Sequence, residues 1–289
     1  MSTMTLPTAA PRRRPRSAAR DADLLFDAPG PKTRRHTAIA SAAVTVVVAA
    51  LIGAALYQLA QAGQLAYPKW RYFAGQTIVG YLGRALWDTL LVTAVAAALS
   101  FPLGIALGWL RLARNTVLRA IIGTWIDVMR AVPMLLLIYF FLLAVPRFGP
   151  TLPPMWMLAV PIVMCTSATT AEVFRSGVLA LDKGQREAAA ALGMGPAMTM
   201  RLVLAPQALR LMLPTLITQL VTILKDSSLG YVVAYGELMY GGRLLVASAR
   251  ATVQLDVFLP TYVIIAVLYI VMNWALGAAA RQVEARTRQ

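Results

Sequence analysis

Lys225 and Asp226 stand side by side in an otherwise apolar stretch, and Thr215, Thr218, Gln219 and Thr222 precede them at helical intervals of three and four. Residues spaced in this way share one helix face. Hydroxyls, a carboxamide and two ionisable groups along one face can hand hydrogen bonds to a polar solute, which is chemistry of passage rather than of bond-making. Two readings fit the stripe Thr218, Gln219, Thr222, Asp226: the wall of a solute path, or interhelical hydrogen bonding, which recruits the same residue types in membranes. Ionisable groups at membrane depth are functional suspects because bare charge is costly there. A second patch, Thr166, Ser167, Thr169 and Thr170, precedes Glu172 and Arg175. These last two are three apart and pair across one turn, either as a plain intrahelical pair or as a support for the loop that follows.

Enzymatic constellations are missing from the sequence. His36, the only histidine, sits in a basic tail, and Cys165, the only cysteine, lies inside an apolar segment. Neither a disulfide framework nor a His/Cys metal cluster can be assembled, and no metal or cofactor is expected. A phosphate-binding loop needs a lysine directly after a glycine. Here Lys32, Lys69, Lys183 and Lys225 follow Pro31, Pro68, Asp182 and Leu224, so any nucleotide hydrolysis belongs to another polypeptide. No paired serine or aspartate site is evident for an intramembrane hydrolase.

The stretch Asp182 to Pro206, DKGQREAAAALGMGPAMTMRLVLAP, is a short, polar and alanine-rich insertion between two long apolar segments. Asp182 predicts a helix N-cap with Gln185 returning the bond, Gly193 a left-handed helix end, and Pro196 the first turn of a second helix. Small side chains at Ala188, Ala189, Ala190 and Ala191 would let another protein's surface approach closely, with Arg186 and Glu187 fixing its orientation.

This pattern resembles the EAA motif of binding-protein-dependent permeases in the ATP-binding cassette (ABC) importer superfamily. Glu187, Ala188, Ala189 and Gly193 match at the motif's spacing, Val203 and Pro206 fall in register, and Ala205 replaces a leucine. The resemblance implies a type I ABC importer permease fold whose coupling-helix loop, here Gly184, Gln185, Arg186, Glu187, Ala188, Ala189 and Gly193, docks on a cytoplasmic ATPase subunit. It further implies two ATPase subunits, a second related permease, an extracytoplasmic solute-binding protein and alternating access driven by ATP. Lys225-Asp226-Ser227-Ser228-Leu229 resembles the lysine, aspartate, threonine, serine, leucine run of polar amino acid permeases, which adds Ser227 to the candidate path. Arg130-Ala131-Val132-Pro133-Met134-Leu135 is similar to the corresponding run of the glutamate-type branch, as are Leu24 to Pro31 and Ala62 to Leu65. Glutamate is therefore the favoured substrate by resemblance, and Arg130 joins Lys225 as a positive group along the path of an anion.

The elements that would position these residues are membrane helices. A chain of 289 residues that is 59% hydrophobic and 13% charged, with mean hydropathy +0.66, is a polytopic membrane protein rather than a soluble one. A net charge of +15 does not point to nucleic acid, because the basic residues flank apolar segments without interleaved aromatics. Apolar segments long enough to cross a bilayer fall near 37–59, 86–110, 117–145, 155–175, 209–235 and 256–280. The expected fold is all-α with about six transmembrane helices, bent at Pro102 and Pro133.

Six crossings put both termini on one side. That side carries nineteen Lys and Arg, from Arg12 to Arg288, against six (Lys69, Arg71, Arg84, Arg147, Arg243 and Arg250) on the other, so it is expected to be cytoplasmic. The Glu187 loop falls on the same side. Residues 1–36 read as a disordered basic tail, 37–60 as an additional N-terminal membrane helix, 81–281 as the permease domain and 282–289 as a C-terminal tail. Ala60-Gln61-Ala62 invites reading as a signal cleavage site, but the uncharged run is longer than the roughly 7 to 15 residues of a signal core. An ion-gradient-driven transporter is the rival reading. Its mark would be buried carboxylates on broken midplane helices, for which Asp226 is the single candidate.

Overall fold

The computed structural model describes residues 30–287, and all regular elements among them are helical. Most of the tail expected to be disordered, residues 1–29, lies outside the described residues. The chain divides into two units after Gly63. The first holds one helix, α1 (Pro31–Gln61). It begins earlier than the expected position 37 because Pro31 occupies the first turn, where its fixed φ suits the helix and its missing N–H has no partner to lose. Thr37 adds a hydroxyl bond to the Thr33 carbonyl at 2.6 Å. At 31 residues α1 is about 46 Å long, enough to cross a core of about 30 Å and carry Lys32, Arg34 and Arg35 into the headgroup layer.

The second unit starts with α2 (Tyr67–Arg71) and continues through α3 (Gln76–Arg111), α4 (Thr116–Ala131), α5 (Met134–Tyr139) and α6 (Pro154–Leu179). It then runs through the short α7 (Lys183–Ala191) and α8 (Pro196–Thr199), followed by α9 (Ala205–Asp226), α10 (Leu238–Val253) and α11 (Phe258–Thr287). Among the described residues, five helices are long and apolar enough to cross a membrane, or six if the α4–α5 pair counts as one span.

Three departures from the expected spans have physical causes. The third span is broken rather than bent: residues 116–131 and 134–148 meet at 98°. Pro133 removes a donor and forces Val132 out of the helical region, to φ −78° and ψ 128°. The fifth span stays α-helical only to Asp226 and tightens into a 3₁₀ turn over Ser227–Tyr231. Finally, α10 is a helix that the apolar pattern does not announce, because Gly241, Gly242, Arg243 and Arg250 interrupt it. The C-terminal residues from 282 to 287, expected as a tail, continue α11.

The close pair in this unit is α3 with α6. A Cβ placed at Gly104 would lie 2.5 Å from Thr170 Cβ and 2.7 Å from the Ser167 carbonyl oxygen, and one at Gly108 would lie 2.6 Å from the Ala171 carbonyl oxygen. The two backbones approach this closely only because both residues are glycine. One core cluster joins Val92 and Ala96 of α3 to Leu158 and Ile162 of α6 and Ile223 of α9. Another sets Phe174 and Val178 of α6 against Ala208 and Met212 of α9. The second cluster fixes the two ends of the α7–α8 loop.

Candidate docking loop and solute-facing site

Asp182 caps α7, its carboxylate accepting from Gly184 N at 2.7 Å. The helix ends in a Schellman arrangement: Met194 N donates to the Ala189 carbonyl at 3.0 Å and Gly193 N to that of Ala190 at 2.9 Å, with Gly193 at φ +75°. Pro196 then opens α8. Gln185 does not return the capping bond; its Oε1 accepts from Gln207 Nε2 at 3.1 Å, which ties α7 to the foot of α9. Gly184, Gln185, Arg186, Glu187 and Ala188 are exposed, as is Gly193, while Ala189 is buried. Arg186 Nη2 reaches back to the Val178 carbonyl at 3.4 Å. A cleft of about 320 Å³ opens beside the loop, between Arg114, Arg186, Ala190, Met194 and Met200.

Behind the loop sits a charge network that joins three helices. Arg111, the last residue of α3, donates to Glu172 Oε2 on α6 at 2.8 Å and to Asp127 Oδ1 on α4 at 3.1 Å. Arg175 donates to Glu172 Oε1 at 2.6 Å. The Glu172–Arg175 pair follows from their spacing. Arg111 and Asp127 do not, since Arg111 lies 61 residues from Glu172 and no local periodicity links them.

The polar stripe is split by the structure. Thr215, Thr218, Thr222 and Lys225 are exposed on α9, and Gln219 and Asp226 are half-buried. Thr218 donates to the Pro214 carbonyl and Thr222 to the Thr218 carbonyl, each at 3.1 Å. Among the described residues, none of these hydroxyls bonds to another helix, so the packing reading of the stripe finds no partner within this chain. Ser227 is buried, donating to the Leu224 carbonyl at 2.7 Å, and is not brought to the open face. Arg130 is exposed at the end of α4, an element that packs on α3 and α6.

Sequence reasoning also missed Glu237. Fully buried, it caps α10 by accepting from Met239 N at 2.7 Å and Tyr240 N at 2.8 Å, and it accepts from Tyr269 OH of α11 at 3.2 Å. Glutamate is not a favoured capping residue, so nothing local marked it. Past the far end of α10, Gln64 Nε2 and Arg250 Nη2 donate to Asp256 at 3.1 Å and 3.0 Å. Chiefly through the Gln64 bond, they hold its carboxyl below the usual carboxylate range.

A bundle of apolar helices that exposes a capped two-helix loop at one edge is the form of a transport subunit. Residues 100–289 match the family model for the inner membrane component of binding-protein-dependent transport systems, and the chain belongs to that family. It is an all-α, multi-pass ABC importer permease, a transport subunit and not an enzyme. It is 35% identical over 205 residues to the probable glutamine ABC transporter permease protein GlnP of Bacillus subtilis, covering 70% of this chain and 93% of that one. Identity to the glutamate transport system permease protein GluD of Corynebacterium glutamicum is 36% over 232 residues, 78% of this chain and 82% of that one. The crystal structure of an amino acid ABC transporter with histidines superposes with a TM-score of 0.66 at 26% identity, covering 73% of this chain and 95% of that one.

Proposed function

We propose that this permease passes a polar amino acid, glutamate first among them, into the cytoplasm in an ATP-driven importer. Both termini and the α7–α8 loop face the cytoplasm in this reading, in keeping with the charge asymmetry. Two ATPase subunits carry the hydrolysis, a second related permease completes the pathway, and an extracytoplasmic solute-binding protein delivers the substrate. Gly184, Gln185, Arg186, Glu187, Ala188, Ala189 and Gly193 form the ATPase-docking surface. Thr218, Gln219, Thr222, Lys225, Asp226, Ser227 and Arg130 are the path candidates, Ser227 by shaping the turn under Asp226 rather than by contact.

The observation that carries this reading is the α7 helix, fixed at both ends by caps yet exposed along its Gln185 to Ala188 surface. A helix so firmly held and so little covered is built to be covered by another chain. The substrate preference is supported by the similarity to GluD. Uptake of labelled glutamate and glutamine by proteoliposomes holding the permeases, the ATPase and the binding protein tests both parts. ATP-dependent accumulation with glutamate ahead of glutamine is expected. Accumulation driven by an ion gradient without ATP would overturn the importer reading, and glutamine ahead of glutamate would correct the substrate.

A further inference from the structure

A cleft of about 670 Å³ opens where the end of α3, the start of α4 and the end of α6 meet. It lies on the side of the docking loop, since Leu112 lines both this cleft and the one beside Arg186. At roughly 30 Å³ per water molecule it has room for about twenty of them. Its wall includes Arg111, Arg119, Arg175, Asp127, Thr116 and Thr124. The guanidinium of Arg111 lies across Gly123, where an added Cβ would be 3.7 Å from its Nε. Arg111 and Arg175 are engaged with Asp127 and Glu172, but Arg119 makes no ion pair among the described residues. Three guanidinium groups against two carboxylates leave one positive charge over. Donors are left as well, because Arg175 meets Glu172 through Nε and Nη2 alone and a guanidinium carries five N–H groups. Both carboxylates are already held by arginine, so the cleft has none to spare for an ammonium group.

One edge of the cleft is apolar. Val117, Ile121, Trp125 and Val128 are all exposed, and intervals of four, four and three put them in one row along α4. Thr124, in the cleft wall, follows Val117 by seven residues and precedes Val128 by four, so the row borders the cleft. The row is about 16 Å long, and one leaflet of a core of about 30 Å is about 15 Å deep, so a single acyl chain can cover it. Arg111 is the last residue of α3 and Arg119 the fourth of α4, which places them at the level of lipid phosphates rather than of hydrocarbon. We propose that this cleft is a binding site for an anionic phospholipid, with the phosphate on Arg119 and Arg175 and an acyl chain along the Val117 to Val128 row. One phosphodiester matches the one unbalanced charge, and basic pockets between membrane helices hold such headgroups. The inference goes beyond the transport reading and does not depend on which solute is carried. An occupied cleft braces three helix ends behind the docking loop, because Leu179 lines it three residues before the Asp182 cap.

The test is native mass spectrometry of the intact permease–ATPase complex, delipidated and then titrated with phosphatidylglycerol or phosphatidylethanolamine. The first phosphatidylglycerol is expected to bind at least about tenfold more tightly than phosphatidylethanolamine, a difference of about 1.4 kcal/mol. Arg119→Gln should abolish that preference, and Arg281→Gln, an exposed arginine outside the cleft, should keep it. Comparing variants with wild type isolates this chain's site from lipids held by other subunits. Ile121→Ser, which leaves every charge in place, should also weaken retention of phosphatidylglycerol and keeps the test open if Arg119→Gln does not fold. Retention of the ATPase and an unchanged melting temperature in the absence of added lipid show that a variant is folded. Equal binding of the two lipids by the wild type, or wild-type binding in either folded cleft variant, overturns the site. An equal loss in Arg281→Gln reduces the effect to general surface charge and also overturns it. Displacement of the lipid by glycerophosphoglycerol, the same headgroup without chains, assigns the cleft to a soluble phosphodiester and overturns the lipid.

Discussion

Gly104→Ala, set beside Gly83→Ala, isolates the close approach of α3 to α6 from every other effect of removing a glycine. Both positions lie inside α3, so both variants gain the same helix propensity, about 1 kcal/mol. They differ in what the new methyl meets: nothing within 4 Å at position 83, but Thr170 Cβ at 2.5 Å and a backbone oxygen at 2.7 Å at position 104. Ordinary contact begins at 3.4 Å, so the helices must part by about 3.4 − 2.5 = 0.9 Å. Overpacking of this kind costs about 1–3 kcal/mol, and that is the difference expected between the two variants, with Gly83→Ala the more stable. Reversible unfolding of the purified chain in mixed micelles, titrated with SDS and followed by tryptophan fluorescence, measures it. The consequence reaches the docking loop, because α3 carries Arg111 to Glu172 one to two turns beyond the glycine contact. If Gly104→Ala proves as stable as Gly83→Ala, the helices do not touch as described and the placement of the charge network falls with them.

The charge network predicts a ranking. Glu172→Gln removes the carboxylate that Arg111 and Arg175 share, leaving Arg175 without an ion pair among the described residues and Arg111 with Asp127 alone; their side chains are only 19% and 31% exposed, and the change should cost about 1–3 kcal/mol. Asp127→Asn removes a partner that is 59% exposed and should cost less than about 1 kcal/mol; the same SDS titration orders them, and the reverse order would refute the network. Gly193→Ala places a Cβ at φ +75° and should cost about 1–2 kcal/mol locally, seen as faster amide exchange across residues 189–194 with the rest of the chain unchanged. Asp256, its carboxyl held low by Gln64 and Arg250, stabilises the fold above its ordinary pKa of about 3.9 and loses that contribution as pH falls through the depressed value. Melting curves of wild type and Asp256→Asn should therefore differ by a constant amount near neutrality and converge only below about pH 4; convergence at higher pH would contradict the pairing.

The docking loop was legible because its instructions are local. Asp182, Gly193 and Pro196 each specify a backbone state within a few residues of themselves, and α7 and α8 follow from them. Crossing helices were legible from hydropathy alone, save where two demands conflicted. At Pro133 an apolar run long enough to span meets a residue that cannot continue a helix, and the 98° break is the outcome. α10 escaped notice because its glycines serve packing rather than termination: a Cβ at Gly242 would clash with Ile265. Arg111, Asp127 and Glu237 were illegible for a common reason. What each does depends on a helix brought alongside by the fold, and no spacing within one segment records that neighbour.

The proposed transport cycle requires that the exposed α7 surface dock an ATPase. Purification of the tagged permease from its native membrane in mild detergent, beside a Glu187→Lys variant, with mass spectrometry of the accompanying chains, tests this most directly. An ATPase subunit carrying a phosphate-binding loop should accompany the wild type and be lost from the folded variant. Recovery of the same ATPase with both proteins, or with neither, would contradict the role given to the loop.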